Sequence, residues 1–385
     1  MITTINNKHK KLNVPNLRFP EFQGEWEKKS LGEIGESFIG LTYKPTDVVS
    51  EGGLIVFRSS NIQNGCMDYK DIVRVNKNVK EKLITKKDDL LVCARNGSAR
   101  LIGKNAILHE TDANQTFGAF MMVFRSDKNH FVHQLLNTRR YSSQVSENLG
   151  ARINQITSSD LSSFEFFFPK ENSEMNKIAA LLDLLDERIA TQNKIIEDLK
   201  KLKSAISESL FKEVKGDVVM LSEICKISKG KQINGEFLSE KGKYYVMNGG
   251  TEPSGYYNNY NVEANTISIS EGGNSCGYVQ FNTSPFWSGG HCYTIQNIVR
   301  GVDNLYLYHY LKSKEDAIMK LRIGSGLPNI QKKDLAMFKI KIPPTEKQKT
   351  ISTFLSSLER KTEIEEHILN ATQKEKLYLL QHMFI

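Results

Sequence analysis

The sequence predicts an α/β protein in which two mixed α/β domains are separated by a pair of long antiparallel helices, a coiled-coil spacer with pseudo-two-fold symmetry. Three observations predict this fold: short motifs recur in the same order in both halves, each half contains strand-like segments, and each half ends in a long amphipathic stretch. The chain of 385 residues leaves room for two or three domains. The predicted divisions are a basic N-terminal arm (1–20), a first globular domain (21–170), a central spacer helix (171–215), a second globular domain (216–345) and a C-terminal spacer helix (346–385).

The internal repeat is the first of these observations. "SLGEI" at 30–34 matches "MLSEI" at 220–224, and later "Asp-Leu…Pro…helix" junctions match in the same order. The matched positions are Gly40 with Gly230 at an offset of 190, and then Asp160-Leu161 with Asp334-Leu335 and Pro169 with Pro343 at an offset of 174. Agreement of order and spacing along the whole chain indicates a duplication whose middle segments diverged.

Each half has segments typical of strands, which are rich in aromatic and β-branched residues and bounded by Asn, Gly or Asp. In the first half these are 54–60, 89–95, 119–126 and 164–169, and in the second 244–250, 266–273, 292–296 and 338–344. A helix is predicted before the last strand of each half, at 131–147 and at 304–322.

The two spacer helices are predicted from apolar residues that recur every three or four positions. The central helix has Ser173 as a cap and Gly216 as its end, and the second begins with Thr345 and Gln348 as a capping box. Helices of this length are roughly 60 Å long and need a partner for their apolar stripe. The expected helix-pairing residues are Ile178, Leu182, Leu185, Ile189, Ile196, Leu199, Ile351, Leu355, Leu358, Ile364 and Ile368, and the stripes continue to Ile206, Leu210, Leu377, Leu380 and Phe384.

Chain order predicts how the helices pair. The central helix leads from the first domain to the second, and a short Pro-Pro link then starts the last helix. If the stripes pair with each other, the last helix must run back toward the first domain, and the pair is antiparallel. The repeated stretch is therefore the place where each domain passes into its spacer helix.

Charge favours a polyanionic partner. The net charge is +8 with an isoelectric point near 9.0, and the excess lies in the arm and the two globular segments. This charge distribution is a weak indication of nucleic-acid binding. Two similar basic domains on one chain suit two DNA half-sites, which present the same face about 34–36 Å apart.

Several other classes are disfavoured. No uncharged apolar run approaches the roughly 18 residues of a membrane span, and the N-terminus has no secretory signal, so a cytoplasmic location without membrane attachment is expected. Five cysteines without a CxxC favour reduced thiols. The sequence has no P-loop and no methyltransferase Asn-Pro-Pro-aromatic motif. Glu27 and Lys29 form an isolated E-x-K without an upstream Asp, and His130 and His133 form an HxxH without further ligands, so neither a nuclease nor a metal site is expected.

The sequence resembles the specificity (S) subunit of type I restriction-modification enzymes. The resemblance is carried by "PNLRFPEFQGEWEKKSLGEI" (15–34), "DDLLVCARNGSARLIGKNAIL" (88–108), "VMNGGTEPSGYYNNYN" (246–261), "ISISEGGNSCGYVQF" (267–281) and the two helix junctions. It implies two target recognition domains that each read half of a split double-stranded DNA sequence. It also implies helices that set the gap and bind two modification (methyltransferase) subunits, with restriction/translocase subunits joining for cleavage.

The resemblance further implies that this chain has no catalytic residues and no cofactor of its own. S-adenosylmethionine, ATP and magnesium are expected in the partner subunits. Docking positions for the methyltransferases are expected near the helix ends, at Phe211, Tyr378 and Phe384.

DNA contacts are expected on loops at strand ends, where Lys and Arg reach phosphates and Arg, Asn, Gln, Ser or Thr read bases. In the first domain the candidates are Lys44, Arg58, Asn61, Arg95, Asn96, Gly97, Ser98, Arg100 and Lys104. In the second they are Asn248, Gly249, Gly250, Thr251, Asn274 and Ser275, with Lys229 and Lys231 as phosphate contacts. The same loops also fit plain polar turns, because Asn-Gly and Gly-Gly are turn sequences. Two other functions stay open: a free-standing two-headed DNA-binding regulator and a coiled-coil scaffold.

Overall fold

Two compact units make up the chain in a computed structural model, which describes residues 13–151, 154–324, 326 and 328–385. Unit 1 holds the described residues up to Asn193 together with Ile368–Ile385, and unit 2 holds Lys194–His367. Each unit combines small β-sheets with helices, which confirms the predicted α/β class. The finer predicted divisions stay predictions.

The elements are numbered in chain order. The strands are β1 Glu27–Ser30, β2 Glu36–Ile39, β3 Val48–Val49, β4 Leu54–Phe57, β5 Ile62–Gln63, β6 Cys66–Met67, β7 Arg74–Val75, β8 Leu90–Cys93, β9 Asn105–Ile107, β10 Thr116–Phe117, β11 Met121–Arg125, β12 Glu165–Phe168, β13 Asp217–Met220, β14 Lys226–Lys229, β15 Tyr244–Met247, β16 Tyr256–Tyr257, β17 Thr266–Ser270, β18 Val279–Asn282, β19 Trp287–Ser288, β20 Cys292–Gln296 and β21 Lys339–Ile342. The α-helices are α1 Leu31–Ile34, α2 Asn129–Leu135, α3 Arg139–Ala151, α4 Ser158–Ser163, α5 Asn172–Glu213, α6 Leu221–Ile224, α7 Asn304–Ser313, α8 Glu315–Met319, α9 Lys332–Ala336 and α10 Thr345–His382. Short 3₁₀ helices lie at Pro45–Asp47, Ser59–Asn61, Glu81–Leu83, Ala99–Leu101, Glu110–Asp112 and Gly235–Phe237.

The same sheet recurs in both units. In unit 1 an antiparallel sheet has the order β2-β11-β8-β9, and in unit 2 the corresponding order is β14-β20-β17-β18. The strand β1 pairs with β12, and β13 pairs with β21, so each unit closes its first strand against its last. A parallel pair, β4 with β10 and β15 with β19, completes each unit. The predicted strand positions are thus confirmed, with short strands added between them.

The two predicted helices before the last strands are each interrupted, which corrects that prediction. In unit 1 the chain makes a turn between α2 and α3, where the Thr138 hydroxyl donates to the Leu135 carbonyl at 2.6 Å. The same hydroxyl accepts from the Tyr141 amide at 3.5 Å, so Thr138 ends one helix and starts the next. In unit 2 the break falls at Lys314, between α7 and α8.

Each unit has its own hydrophobic core. In unit 1 the aromatic rings of Trp26, Phe131 and Phe384 pack together in the core, and the ring centroids of Phe131 and Phe384 are 5.3 Å apart. In unit 2 Phe211 packs edge-on against Tyr306 and Tyr310. Phe211 and Phe384 are therefore core residues, which corrects their expected role as outer docking positions, whereas Tyr378 is 55% exposed.

Segments of α5 and α10 pack together inside each unit. In unit 2 Lys203 pairs with Glu359 at 2.8 Å, and Lys200 pairs with Glu366 at 2.6 Å, so the two segments run antiparallel. In unit 1 Lys376 forms an ion pair with Asp186. Antiparallel pairing of the long helices agrees with the prediction.

The apolar stripe differs from the expected one in its middle. Among the expected pairing residues Ile178, Leu182, Ile196, Ile351 and Leu355 are buried, and Leu185, Ile189, Leu199, Leu358 and Ile368 are partly buried. Ile364 is 49% exposed, which corrects its assignment, and Leu377 is 52% exposed. The buried positions of α10 instead continue through Thr362 and Thr372, whose hydroxyls donate to the carbonyls of Leu358 and Ile368 at 2.9 and 3.0 Å. A pattern built on apolar residues alone therefore drifts off the buried face.

The start of α10 also departs from the predicted capping box. The Gln348 side chain accepts from the Asp303 amide at 2.8 Å and donates to the Gly301 and Pro343 carbonyls, so it joins α10 to neighbouring loops instead of forming a capping box. Within the predicted N-terminal arm, residues 1–12 lie outside the described residues, and 13–20 pack on unit 1. The Leu17 amide donates to the His382 carbonyl at 2.8 Å.

Candidate nucleic-acid interface

Four loops of unit 1 meet at one end of its sheet and are here called edge 1, comprising 40–44, 58–61, 94–100 and 118–120. Because β2 and β8 are both antiparallel to β11, the ends of β2 and β8 and the start of β11 lie side by side. Backbone hydrogen bonds join the loops: the amides of Gly40 and Ala94 donate to the carbonyls of Met121 and Phe120 at 3.0 and 2.9 Å. The structure thus brings two loops predicted from separate segments to one edge.

Unit 2 builds the matching surface, edge 2, from 229–232, 248–251, 271–275 and 289–291. The amides of Gly230 and Glu271 donate to the carbonyls of Cys292 and His291, both at 2.9 Å. The Gly230 bond corresponds to the Gly40 bond of edge 1, and the Glu271 bond corresponds to the Ala94 bond. A Cβ on Gly40 would lie 2.2 Å from the Gly118 carbonyl oxygen, and one on Gly230 would lie 2.2 Å from that of Gly289. The repeated glycines therefore permit the close backbone approach that forms both edges.

On edge 1 the candidate residues divide into free and internally bonded side chains. Lys44, Arg95, Gly97, Ser98 and Arg100 are exposed. A cavity of about 550 Å³ opens beside them and is lined by Tyr43, Ser59, Phe120 and neighbouring residues. The Arg95 guanidinium lies over the Phe120 ring, 5.3 Å from its centroid. This part of edge 1 can offer a cation and an aromatic face to a ligand.

Other candidates of unit 1 are held by the protein itself. Asn61 is fully buried: its amide donates to the carbonyls of Asp68 and Asp71, both at 2.9 Å, and it accepts from the Arg58 amide at 2.8 Å. Its assignment as a DNA contact is thereby corrected to a loop-building role. The Arg58 guanidinium pairs with Asp71 at 2.7 Å.

Asn96 and Lys104 also bind within unit 1. The Asn96 amide donates to the Ser59 hydroxyl at 3.0 Å, which ties two loops of edge 1 together. The Lys104 ammonium donates to the Ile62 carbonyl at 2.8 Å, outside edge 1, and burial lowers the pKa of Lys104. Both side chains position the backbone, and neither points freely from the edge.

On edge 2 the glycines make the turns and a few side chains reach solvent. Gly249 has a φ of +84°, which favours glycine, and Asn248 accepts from the His291 amide at 3.0 Å. Gly250 and Ser275 are partly buried, whereas Thr251, Asn274 and Lys231 are exposed. Lys229, at the end of β14, pairs with Glu271 at 2.6 Å.

Sequence reasoning did not single out Glu271, Tyr293, His291 or Phe120. The Glu271 side chain is 9% exposed and accepts from the Tyr293 hydroxyl at 3.0 Å. Burial, and then the hydrogen bond to Glu271, raise the pKa of Tyr293. The alternation of β17 gave a signal for this carboxylate, because Ile267, Ile269 and Glu271 fall on one side of a strand of period two.

The HxxH histidines make polar contacts within unit 1. His130 Nδ1 lies 2.5 Å from Asp183 Oδ2, and this hydrogen bond raises the pKa of His130. His133 Nδ1 lies 2.9 Å from Asn105 Oδ1, and burial lowers the pKa of His133 to about 4. In the described ranges no group of three or more His, Cys, Asp or Glu could hold a metal ion. All five cysteines are free thiols. Among the described helices, none is both long enough and apolar enough to cross a bilayer.

The repeated edges agree with a comparison against protein families. The model of the type I restriction modification DNA specificity domain matches residues 23–201 and again 213–374, one match for each half of the repeat. The chain belongs to this family. The order of elements in both units is thus explained by two copies of one specificity domain.

Individual relatives support the same family. The chain is 32% identical over 156 residues to a Mycoplasma pneumoniae protein named as the type I specificity subunit S.MpnORF638P, a match that covers 40% of this chain and 41% of that protein. It is 29% identical over 178 residues to the specificity subunit of the type I restriction enzyme EcoKI of Escherichia coli, covering 43% of this chain and 38% of that protein. The chain thus spans about two fifths of the length of these relatives in the matched regions.

A solved specificity subunit has the same fold. The crystal structure of the S subunit of a type I restriction-modification system from M. genitalium superposes with a TM-score of 0.73 at 20% identity. The match covers 97% of this chain and 99% of that one. The two specificity domains and the two long helices are therefore features of the fold.

Proposed function

We propose that this chain is the DNA-recognition subunit of a type I restriction-modification complex, in which each unit reads one half of a bipartite double-stranded target. The observation that carries the proposal is the repetition of one edge in two specificity domains. Edges 1 and 2 share their backbone hydrogen bonds but present different side chains. This is the arrangement expected of two readers that dock alike and recognise different bases.

The side chains of the edges suit both kinds of DNA contact. Lys44, Arg100 and Lys231 are exposed, and in the part of the chain that the structure describes no ion pair engages them. Exposed cations of this kind bind phosphates and fix the register of a protein on the duplex without reading its sequence. Base readout needs donors held in a defined direction, and Arg95 and Lys229 have such support from neighbouring side chains.

The long helices are the second part of the proposal. The helix α5 runs unbroken over 42 residues from the last strand of the first specificity domain to the first strand of the second, which is about 60 Å of helix. We infer that α5 and α10 set the unread gap and offer docking surfaces to two modification subunits, and that restriction/translocase subunits join these. Adenine methylation with S-adenosylmethionine, and DNA translocation with ATP and magnesium, belong to those partners in the cytoplasm, and this chain performs no chemistry.

Co-expression with type I modification subunits tests the proposal. Long-read mapping of methylated adenines in a host that lacks other methyltransferases should give a split motif with a fixed gap, and omission of this chain should abolish methylation at that motif. A matched strain carrying only the modification subunits is the control. Unchanged methylation without this chain, together with no DNA binding by the complex at low salt, would refute the proposal.

A further inference from the structure

Edges 1 and 2 correspond residue by residue: the ends of β2 and β8 and the start of β11 match the ends of β14 and β17 and the start of β20. The Ala94 amide donates to the Phe120 carbonyl, and the Glu271 amide donates to the His291 carbonyl, each at 2.9 Å. Ala94 and Glu271 therefore occupy one backbone position, and the next residues, Arg95 and Gly272, occupy another. Likewise β2 ends at Ile39 where β14 ends at Lys229.

Edge 1 supports its cation with an aromatic ring. Arg95 is exposed and lies over Phe120, which is itself 58% exposed. Its guanidinium makes no hydrogen bond or ion pair with any described residue. A cation–π contact fixes the direction of the guanidinium without using its five N–H donors, so they stay free for a ligand.

Edge 2 supports a different cation with a buried carboxylate. The Glu271 Oε1 atom accepts from the Lys229 ammonium at 2.6 Å, and the Lys229 side chain is 52% exposed. The Oε2 atom has no hydrogen bond and lies 3.7 Å from His291 Nδ1, whose side chain is 62% exposed. Burial of a carboxylate is unfavourable unless an ion pair or hydrogen bonds compensate for its lost hydration. One of the three donors of Lys229 is used by Glu271, and two remain for a ligand.

We propose that Arg95 and Lys229 each specify a guanine, Arg95 in the half-site of unit 1 and Lys229 in the half-site of unit 2, with Phe120 and Glu271 as positioning residues. The inference rests on the proposed function. Guanine is the base that presents two acceptors, O6 and N7, in the major groove, and Arg or Lys is the side chain that matches them. Each cation stands at the corresponding end of the repeated sheet in its own unit and is oriented by a neighbouring side chain, which distinguishes it from the unsupported lysines nearby.

Substitutions in unit 1 give the first test, made with the complete complex and methylation mapping. We expect Arg95→Gln to lower discrimination about 5- to 150-fold at one guanine of one half-site and to leave the other half-site unchanged. Phe120→Leu keeps the guanidinium and should lower discrimination partly at the same guanine, which a general loss of folding would not do. Lys87→Gln is the matched control, because Lys87 is exposed and precedes the opposite end of β8.

Substitutions in unit 2 give the second test. Lys229→Gln should relax one guanine of the other half-site only, with Lys226→Gln, at the opposite end of β14, as its control. Glu271→Gln removes the negative charge that holds Lys229 and leaves only a neutral acceptor at Oε1. It should therefore leave total DNA affinity equal or higher while discrimination at that guanine falls, whereas a merely structural role would lower both.

The outcomes separate the two proposals. Relaxation at one guanine per half-site by Arg95→Gln and Lys229→Gln supports the inference. If the wild-type complex methylates a split motif but either variant leaves all positions unchanged, relaxes a base other than guanine, or relaxes both half-sites, the inference is overturned. If the wild-type chain directs no split motif, the proposed function itself fails.

Discussion

Removal of the Arg18 side chain tests how the N-terminal residues are fixed to unit 1. The Arg18 guanidinium binds Glu174 through two hydrogen bonds, Nε to Oε1 at 2.7 Å and Nη2 to Oε2 at 2.8 Å. The Glu174 side chain is only 2% exposed, and Trp26 Nε1 donates to it at 3.3 Å. The variant Arg18→Ala therefore leaves a buried carboxylate with one long hydrogen bond. A broken buried pair costs about 3–5 kcal/mol, which is the expected loss in the free energy of unfolding of unit 1.

The repeat supplies a compensating substitution. Gln348 is the counterpart of Glu174 at the offset of 174 residues, and its neutral amide satisfies three backbone groups of unit 2. In the double variant Arg18→Ala/Glu174→Gln no uncompensated charge stays in the core. We expect the double variant to recover about 2 kcal/mol or more of the loss, because the penalty of the single variant comes mainly from the unpaired charge.

Tryptophan fluorescence can report unit 1 alone. The chain has two tryptophans, and Trp26 touches the ion pair while Trp287 lies in unit 2. In a Trp287→Phe background, urea unfolding followed by Trp26 emission measures the change. Lys28→Ala is the control, because Lys28 pairs with Glu165 at the surface and should contribute under about 1 kcal/mol. An Arg18→Ala variant as stable as the Lys28→Ala control would refute the reasoning.

Three further predictions concern pH, the edge backbone and the independence of the readers. Burial lowers the pKa of His309 to about 4, so as the pH falls the unfolded chain takes up this proton before the folded chain does. The free energy of unfolding of unit 2 should therefore fall by up to about 1.4 kcal/mol per pH unit between pH 6.5 and about 4. His309→Gln should flatten this slope in unfolding titrations, and an unchanged slope would contradict the prediction. Gly230→Ala should weaken recognition of one half-site and cost about 1–3 kcal/mol, because its Cβ would meet the Gly289 carbonyl, whereas Gly235→Ala, which faces open space, should be neutral in both assays. Exchange of 35–150 for the matching segment of another specificity subunit should change one half of the methylated motif only, and a change in both halves would show that the units do not read separately.

The fold was largely predictable because its signals are local. Strands such as 244–247 and 292–296 are aromatic or β-branched runs bounded by turn residues, and the repeat identified which of them correspond. The turn at Thr138 was missed because a side-chain hydrogen bond, not a glycine or proline, ends the helix there. The buried face of α10 was misassigned near Ile364 because Thr362 and Thr372 occupy it with hydroxyls bonded to their own helix.

The candidate site was predictable at the level of loops and less so at the level of side chains. Strand ends identified the loops that carry Arg95, Asn96 and Asn274. Whether a polar side chain turns outward depends on partners that are distant in sequence, such as the Asp68 and Asp71 carbonyls that hold Asn61 inside its loop. The pairing of Lys229 with Glu271 spans 42 residues, and no spacing rule within one strand or loop reveals it.

The glycines of the two edges indicate which positions are free to diverge. At Gly40 and Gly230 a side chain would collide with a carbonyl oxygen at 2.2 Å, so these positions hold the backbone frame in both units. At Gly272 an added Cβ would lie 3.5 Å from the Pro328 carbonyl oxygen and 3.9 Å from both the Asn329 Cβ and the His291 Nδ1, which are ordinary contacts. The corresponding residue of unit 1 is Arg95. A frame fixed at some positions and open at adjacent ones can change the bases it reads without altering the sheet or the helices. The same separation accounts for a sequence whose repeated ends match while its middle segments do not.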